Sequence, residues 1–161
     1  KGAVVTRLYL NRPQQTELAK IQDVDGIWHR MGDMGYFDKK GRLWMCGRKS
    51  HRVETEEGLM LPVPCEAIFN AHPEVARTAL VGMGSPGSQR PVLVVEMKSG
   101  KVPSKKEQQR LIAELLGLGE AYEHTRPIRD ILFYPSFPVD VRHNVKIQRE
   151  KLAVWAAKKL A

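Results

Sequence analysis

The chain changes character at one place, Gly47-Arg48-Lys49-Ser50, and that change constrains the fold more than any other feature. Upstream, short apolar stretches lie between turn signals. Residues 27–31, 35–37 and 43–46 read as strands, with Lys39-Lys40-Gly41 as a hairpin turn. Residues 3–10, rich in Val and Tyr, read as a further strand, and 14–21 as a short helix. Such a segment is too small to bury a core of its own.

Downstream the pattern becomes that of a self-sufficient domain. Residues 51–61 read as a hairpin with Thr55-Glu56-Glu57-Gly58 at its tip, and Pro64 introduces a helix over 65–71. Strands over 78–82 and 91–97 are separated by a Gly/Ser-rich loop without the Gly-Lys-Ser/Thr of a phosphate cradle. Ser104-Lys105-Lys106-Glu107 has the spacing of a capping box and opens a helix with Leu111, Ile112, Leu115 and Leu116 on one face. A strand over 128–134 and a helix over 147–160 complete a compact α+β domain preceded by a β-rich remnant.

Charge and cysteine usage narrow the function. The 161 residues hold 26 Lys+Arg and 18 Asp+Glu, a formal charge of +8. Ten basic and five acidic residues fall in 1–50, sixteen and thirteen in 51–161, so no dense basic stripe forms. A solvated basic surface comes first, a site for a phosphate-bearing small molecule second, and a nucleic-acid-binding module last. No apolar run reaches the roughly 18–20 residues of a membrane helix. Cys46 and Cys65 lack metal-ligand spacing, which points away from zinc and disulfides and towards the cytoplasm. The chain starts in mid-pattern at Lys1 and reads as a piece of a longer protein. Trp28, Trp44 and Trp155 read as packing residues, and His29 and His72 have no evident catalytic partner.

Four segments in order resemble the adenylate-forming superfamily of acyl-CoA synthetases, peptide-synthetase adenylation domains and luciferases. They are Trp28-His29-Arg30-Met31-Gly32-Asp33-Met34-Gly35-Tyr36 with Gly41-Arg42-Leu43; Gly47-Arg48-Lys49-Ser50; Pro64-Cys65-Glu66-Ala67 through His72-Pro73-Glu74-Val75; and Lys146-Ile147-Gln148-Arg149. Met31 replaces the family's usual Thr, Val145 its usual Gly, and Pro138 precedes Lys146 by eight residues rather than six. Further segments, among them Phe137-Pro138-Val139-Asp140 and Arg142-His143-Asn144, are most similar to the β-lactone synthetases of olefin biosynthesis. The resemblance implies that 1–48 is the tail of a large N-terminal adenylation domain and 49–161 its mobile C-terminal lid.

It also implies a chemistry: ATP activates a carboxylic acid as acyl-AMP, and a β-hydroxyl then displaces AMP to close a lactone. A fatty acyl-CoA ligase is the nearest alternative. Asp33 would bind the ribose hydroxyls and Arg48 the ribose or phosphate; by residue chemistry alone they are a turn aspartate and a junction arginine. Lys49 and Ser50 would form the hinge, where a plain linker is the simpler reading. Lys146 would be the catalytic cation, against a solvated lysine at a helix start. His51 would support these residues, and His143 and Asn144 would either assist lactone closure or hold their loop. ATP and Mg2+ are the implied cofactors, with the magnesium ligands, phosphate loop and acyl pocket upstream of Lys1. The implied partners are the upstream domain and other olefin-pathway enzymes, and the chain is not expected to turn over by itself.

Overall fold

The computed structural model describes residues 1–140 and 146–161. They form two compact units, Lys1–Ser50 and His51–Ala161. In the first, α1 (Pro13–Ala19) has proline in its opening turn and runs into β1 (Lys20–Asp23), which pairs antiparallel with β2 (Gly26–His29). Residues 20 and 21, expected at the end of a helix, are therefore strand. A seven-residue helix is marginal alone, and a four-pair ladder outweighs two more helical residues. Residues 3–10 are not the expected strand: they run through turns, with Val4 94% and Leu10 81% exposed. A β-rich composition stabilises a strand only against a neighbouring strand, and none pairs with these residues among those described.

The second hairpin is β3 (Asp33–Phe37) with β4 (Leu43–Arg48), antiparallel, with an irregularity between Met34 and Gly35. A Cβ on Gly35 would lie 2.6 Å from the Trp44 carbonyl oxygen, so glycine is what lets the strands close at this irregularity. Trp28 and Trp44 are about half exposed in this unit. Their indole N–H groups donate to Asp23 and Asp38 at 2.7 and 2.9 Å, so they are not the packing residues expected.

A 3-10 turn covers Lys49–His51. In the second unit β5 (Val53–Thr55) and β6 (Gly58–Met60) make the expected hairpin. Helix α2 (Pro62–Asn70) starts three residues before the expected position. Pro62 and Pro64 both fit because N–H groups in a first turn have no intrahelical partner to lose. The sheet has the order β7 (Val75–Met83), β8 (Arg90–Met97), β9 (Asp130–Phe133), with β7 antiparallel and β9 parallel to the central β8. The crossover between β8 and β9 carries α3 (Lys105–Glu120), whose capping box forms as expected, Glu107 accepting from the Ser104 amide at 2.9 Å. Short strands β10 (Val139–Asp140) and β11 (Lys146–Ile147) pair antiparallel before α4 (Arg149–Leu160).

Strand alternation builds two apolar layers on this one sheet. Leu80, Leu93, Val95, Met97, Ile131 and Phe133 join Phe69 of α2 and Leu111 and Leu115 of α3 in one cluster. Ala79, Val81, Val92 and Val94 join Phe137 and Leu152 and Ala156 of α4 in the other. The continuous apolar runs at 79–81 and 91–95 follow from burial on both faces.

Two polar contacts fix the start of α4. Arg149 donates from Nη2 to both oxygens of Glu66 on α2, at 2.8 and 2.7 Å, and Glu66 Oε1 also accepts the Leu80 amide at 2.8 Å. Burial pushes the Glu66 carboxyl above its ordinary value, while Arg149 and the Leu80 N–H pull it back. His51 Nε2 lies 3.2 Å from Glu150 Oε1. Burial, then the charges of Arg149 and Lys146, hold His51 below its ordinary 6.5 despite the counter-pull of Glu150.

Two outcomes follow from these contacts. Ser104→Ala should lower the unfolding free energy by about 1 kcal/mol, measurable by urea denaturation. His51 is depressed in the folded state, so the unfolded chain binds its proton first. Its contribution is complete above the ordinary value of 6.5 and is lost as the pH falls below it. His51→Gln should therefore lose stability less steeply than the parent on acidification in urea melts; parallel profiles would contradict this.

Candidate functional site

The candidate residues of the first unit come together at the open end of the β3–β4 hairpin. Asp33 and Arg48 are directly opposed in the ladder. Arg48 Nη1 lies 3.0 Å from Asp33 Oδ1 and donates to the Met31 carbonyl at 2.7 Å. The side chains are 27% and 45% exposed, so their attraction contributes at most about 1 kcal/mol to stability. What the geometry provides is orientation: a carboxylate beside one guanidinium nitrogen that the Met31 carbonyl holds in place, at a position open to a ligand that offers hydroxyl donors. Gly47, at φ +113, occupies backbone that a side chain would strain, just before Arg48. The ladder is prolonged by one further bond, from the Lys49 amide to the Gly32 carbonyl at 2.8 Å.

Lys146 sits in the second unit and is exposed. Strand alternation accounts for this. Its neighbour Ile147 packs on the α4 side of the sheet, so Lys146 faces the opposite way. Its strand is held in place by Val139 opposite Ile147 and by the Gln148 amide donating to the Pro138 carbonyl at 2.8 Å. The positive charge of Lys146 acts on both His51 and Glu150, and it favours the ionised form of Glu150. His51 is thus beside the catalytic candidate, buried and hydrogen-bonded to the first turn of α4. His143 and Asn144 lie outside the described residues.

Two features were not anticipated from sequence. Glu66 and Arg149 stand in the third and fourth motifs, yet nothing in either motif indicates that they bind each other across 83 residues. His72, Glu74 and Glu114 also gather, with ligand atoms within 4.8 Å of one another. Here His72 Nδ1 accepts the Glu74 amide at 3.3 Å, leaving Nε2–H for Glu114 at 3.0 Å. Arg110 binds both carboxylates, at 2.8 Å to Glu74 and 2.9 Å to Glu114. A cation already bridges both carboxylates, and the group reads as a satisfied hydrogen-bonded network. No helix among the described residues is long and apolar enough to cross a membrane.

No family model matches the chain. It is 51% identical to the olefin beta-lactone synthetase of Xanthomonas campestris pv. campestris over 97% of this chain and 29% of the relative. It is 49% identical to the olefin beta-lactone synthetase of Stenotrophomonas maltophilia over 99% of this chain and 29% of the relative. The chain therefore spans 29% of the length of these curated relatives. The solved structure of ATP-bound MatB from Rhodopseudomonas palustris matches it with a TM-score of 0.76, over 100% of this chain and 30% of that one, at 20% identity. That likeness is one of fold. Matching relatives along almost all of its length, with the four motifs in order and the fold in common, the chain belongs to the adenylate-forming superfamily and corresponds to its C-terminal part.

Proposed function

We propose that the chain serves an ATP-dependent enzyme that activates a β-hydroxy acid as its acyl-adenylate and closes it to a β-lactone. Residues 1–48 are read as the tail of the large adenylation domain and 49–161 as the mobile lid. The observation that carries this reading is the 51% identity to an olefin beta-lactone synthetase along 97% of the chain. A carboxylate oxygen of the acid attacks the α-phosphorus of ATP, and the bond to pyrophosphate breaks. The β-hydroxyl oxygen then attacks the acyl carbon, AMP departs, and the hydroxyl proton passes to solvent.

In the first step negative charge gathers on the carboxylate and α-phosphate oxygens together. The exposed ammonium of Lys146 on its pinned strand is suited to meet that charge. Asp33 would accept hydrogen bonds from the ribose hydroxyls, with Arg48 fixing the carboxylate beside the sugar and phosphate. Because the Lys49 amide remains in the β3–β4 ladder, Ser50 is the first residue beyond it and the better pivot of the two. Magnesium, implied by ATP, finds no fitting donor set among the described residues: Asp33 faces Arg48, and Glu74 and Glu114 share Arg110.

The reading is tested in the intact enzyme with ATP and a long-chain β-hydroxy acid. Pyrophosphate, AMP and lactone should appear without coenzyme A; thioester formation dependent on coenzyme A, with no lactone, would overturn it. Lys146→Ala should slow pyrophosphate release by about 10²–10³-fold while the protein remains folded. Asp33→Ala should raise KM for ATP by about tenfold, as loss of a hydrogen bond to a charged group does.

A further inference from the structure

Lys146 is exposed, and an exposed four-carbon side chain is precise only if its backbone is. The surroundings of β11 show what fixes that backbone. On one side Gln148 donates to Pro138 and Ile147 packs into the apolar layer beneath α4. On the other, Arg149, three residues past the lysine, is tied to Glu66 by charge-assisted bonds from both Nε and Nη2. The pair is nearly closed off from water, with side chains 9% exposed for Glu66 and 15% for Arg149. Glu66 is itself immobilised, because its Oε1 also accepts the Leu80 amide on β7, the edge strand of the sheet. A rigid path therefore runs from the sheet edge through Glu66 and Arg149 to the residues that carry Lys146.

We infer that Glu66 is a positioning residue for the adenylation step, acting through Arg149 to set where the Lys146 ammonium stands. This rests on the reading of Lys146 given above. Glu66 touches neither substrate nor reacting atoms. Its role is to convert a solvated lysine into a group whose origin is fixed relative to the sheet. A misplacement of about 1 Å at a reacting group costs on the order of 10²-fold in rate.

The test is a double-mutant cycle in the intact enzyme, reading kcat and KM for pyrophosphate release. Glu66→Gln keeps the size of the side chain and an acceptor for Leu80 but removes the charge that grips Arg149. It should lower kcat by about 10- to 100-fold with KM for ATP unchanged. In a Lys146→Ala background the same substitution should leave the residual kcat unchanged, since there is no ammonium left to misplace. A merely structural role would cost the same factor in both backgrounds, and that result overturns the inference, as does an unaltered kcat for Glu66→Gln. Should Glu66→Gln fail to fold, Arg149→Lys, which retains the charge but lacks the fork, enters the same cycle with the same two outcomes. Parental kcat in Lys146→Ala alone would remove the Lys146 reading and this one with it. A slow Lys146→Ala with a background-independent Glu66 effect would remove only this one.

Discussion

The contact on which the second unit depends is the bond between Glu66 and Arg149. It joins α2, the edge of the sheet and the first residue of α4, and the two helices pack on opposite faces of that sheet. Burying two charges is costly, and their mutual attraction does little more than offset that cost. Removing one partner is a different matter: a buried charge left alone costs about 3–5 kcal/mol. The pair therefore acts less as a source of stability than as a condition on assembly. Only an arrangement that brings residue 66 to residue 149 leaves neither charge exposed to the apolar interior, which favours one docking of α4 over its alternatives.

Local features are legible in the sequence, and contacts between distant segments are not. The Ser104 cap was legible because its partners lie three residues apart, and the hairpin at 53–60 because its turn chemistry is local. The buried strands β7 and β8 were legible as apolar runs, although not the fact that helices cover both faces. At residues 3–10 and 20–21 the structure departs from the sequence expectation because propensity carries no information about whether a partner strand exists. The exposed tryptophans illustrate a similar limit. Composition alone does not show whether an indole is packed or held by an aspartate at the surface.

The candidate site was legible residue by residue but not as geometry. Asp33 and Arg48 were each singled out, yet their opposition depends on the register of β3 against β4, and that register shifts at Gly35. Glu66 and Arg149 both lie within recognised motifs, but a bond spanning most of the second unit cannot be read from either. Sequence motifs mark the residue types that the chemistry needs. The fold determines which of them stand close enough to act together.

The pairing of Val139 with Ile147 has one more implication. In a strand the two sides are exchanged by a slip of a single position. Were β11 to move one step along β10, isoleucine would meet water and lysine would meet the apolar layer beneath α4. The exposure of the ammonium is thus set by parity, a discrete property, so a gradual loosening of the strand pair does not remove it and a one-residue frame error does.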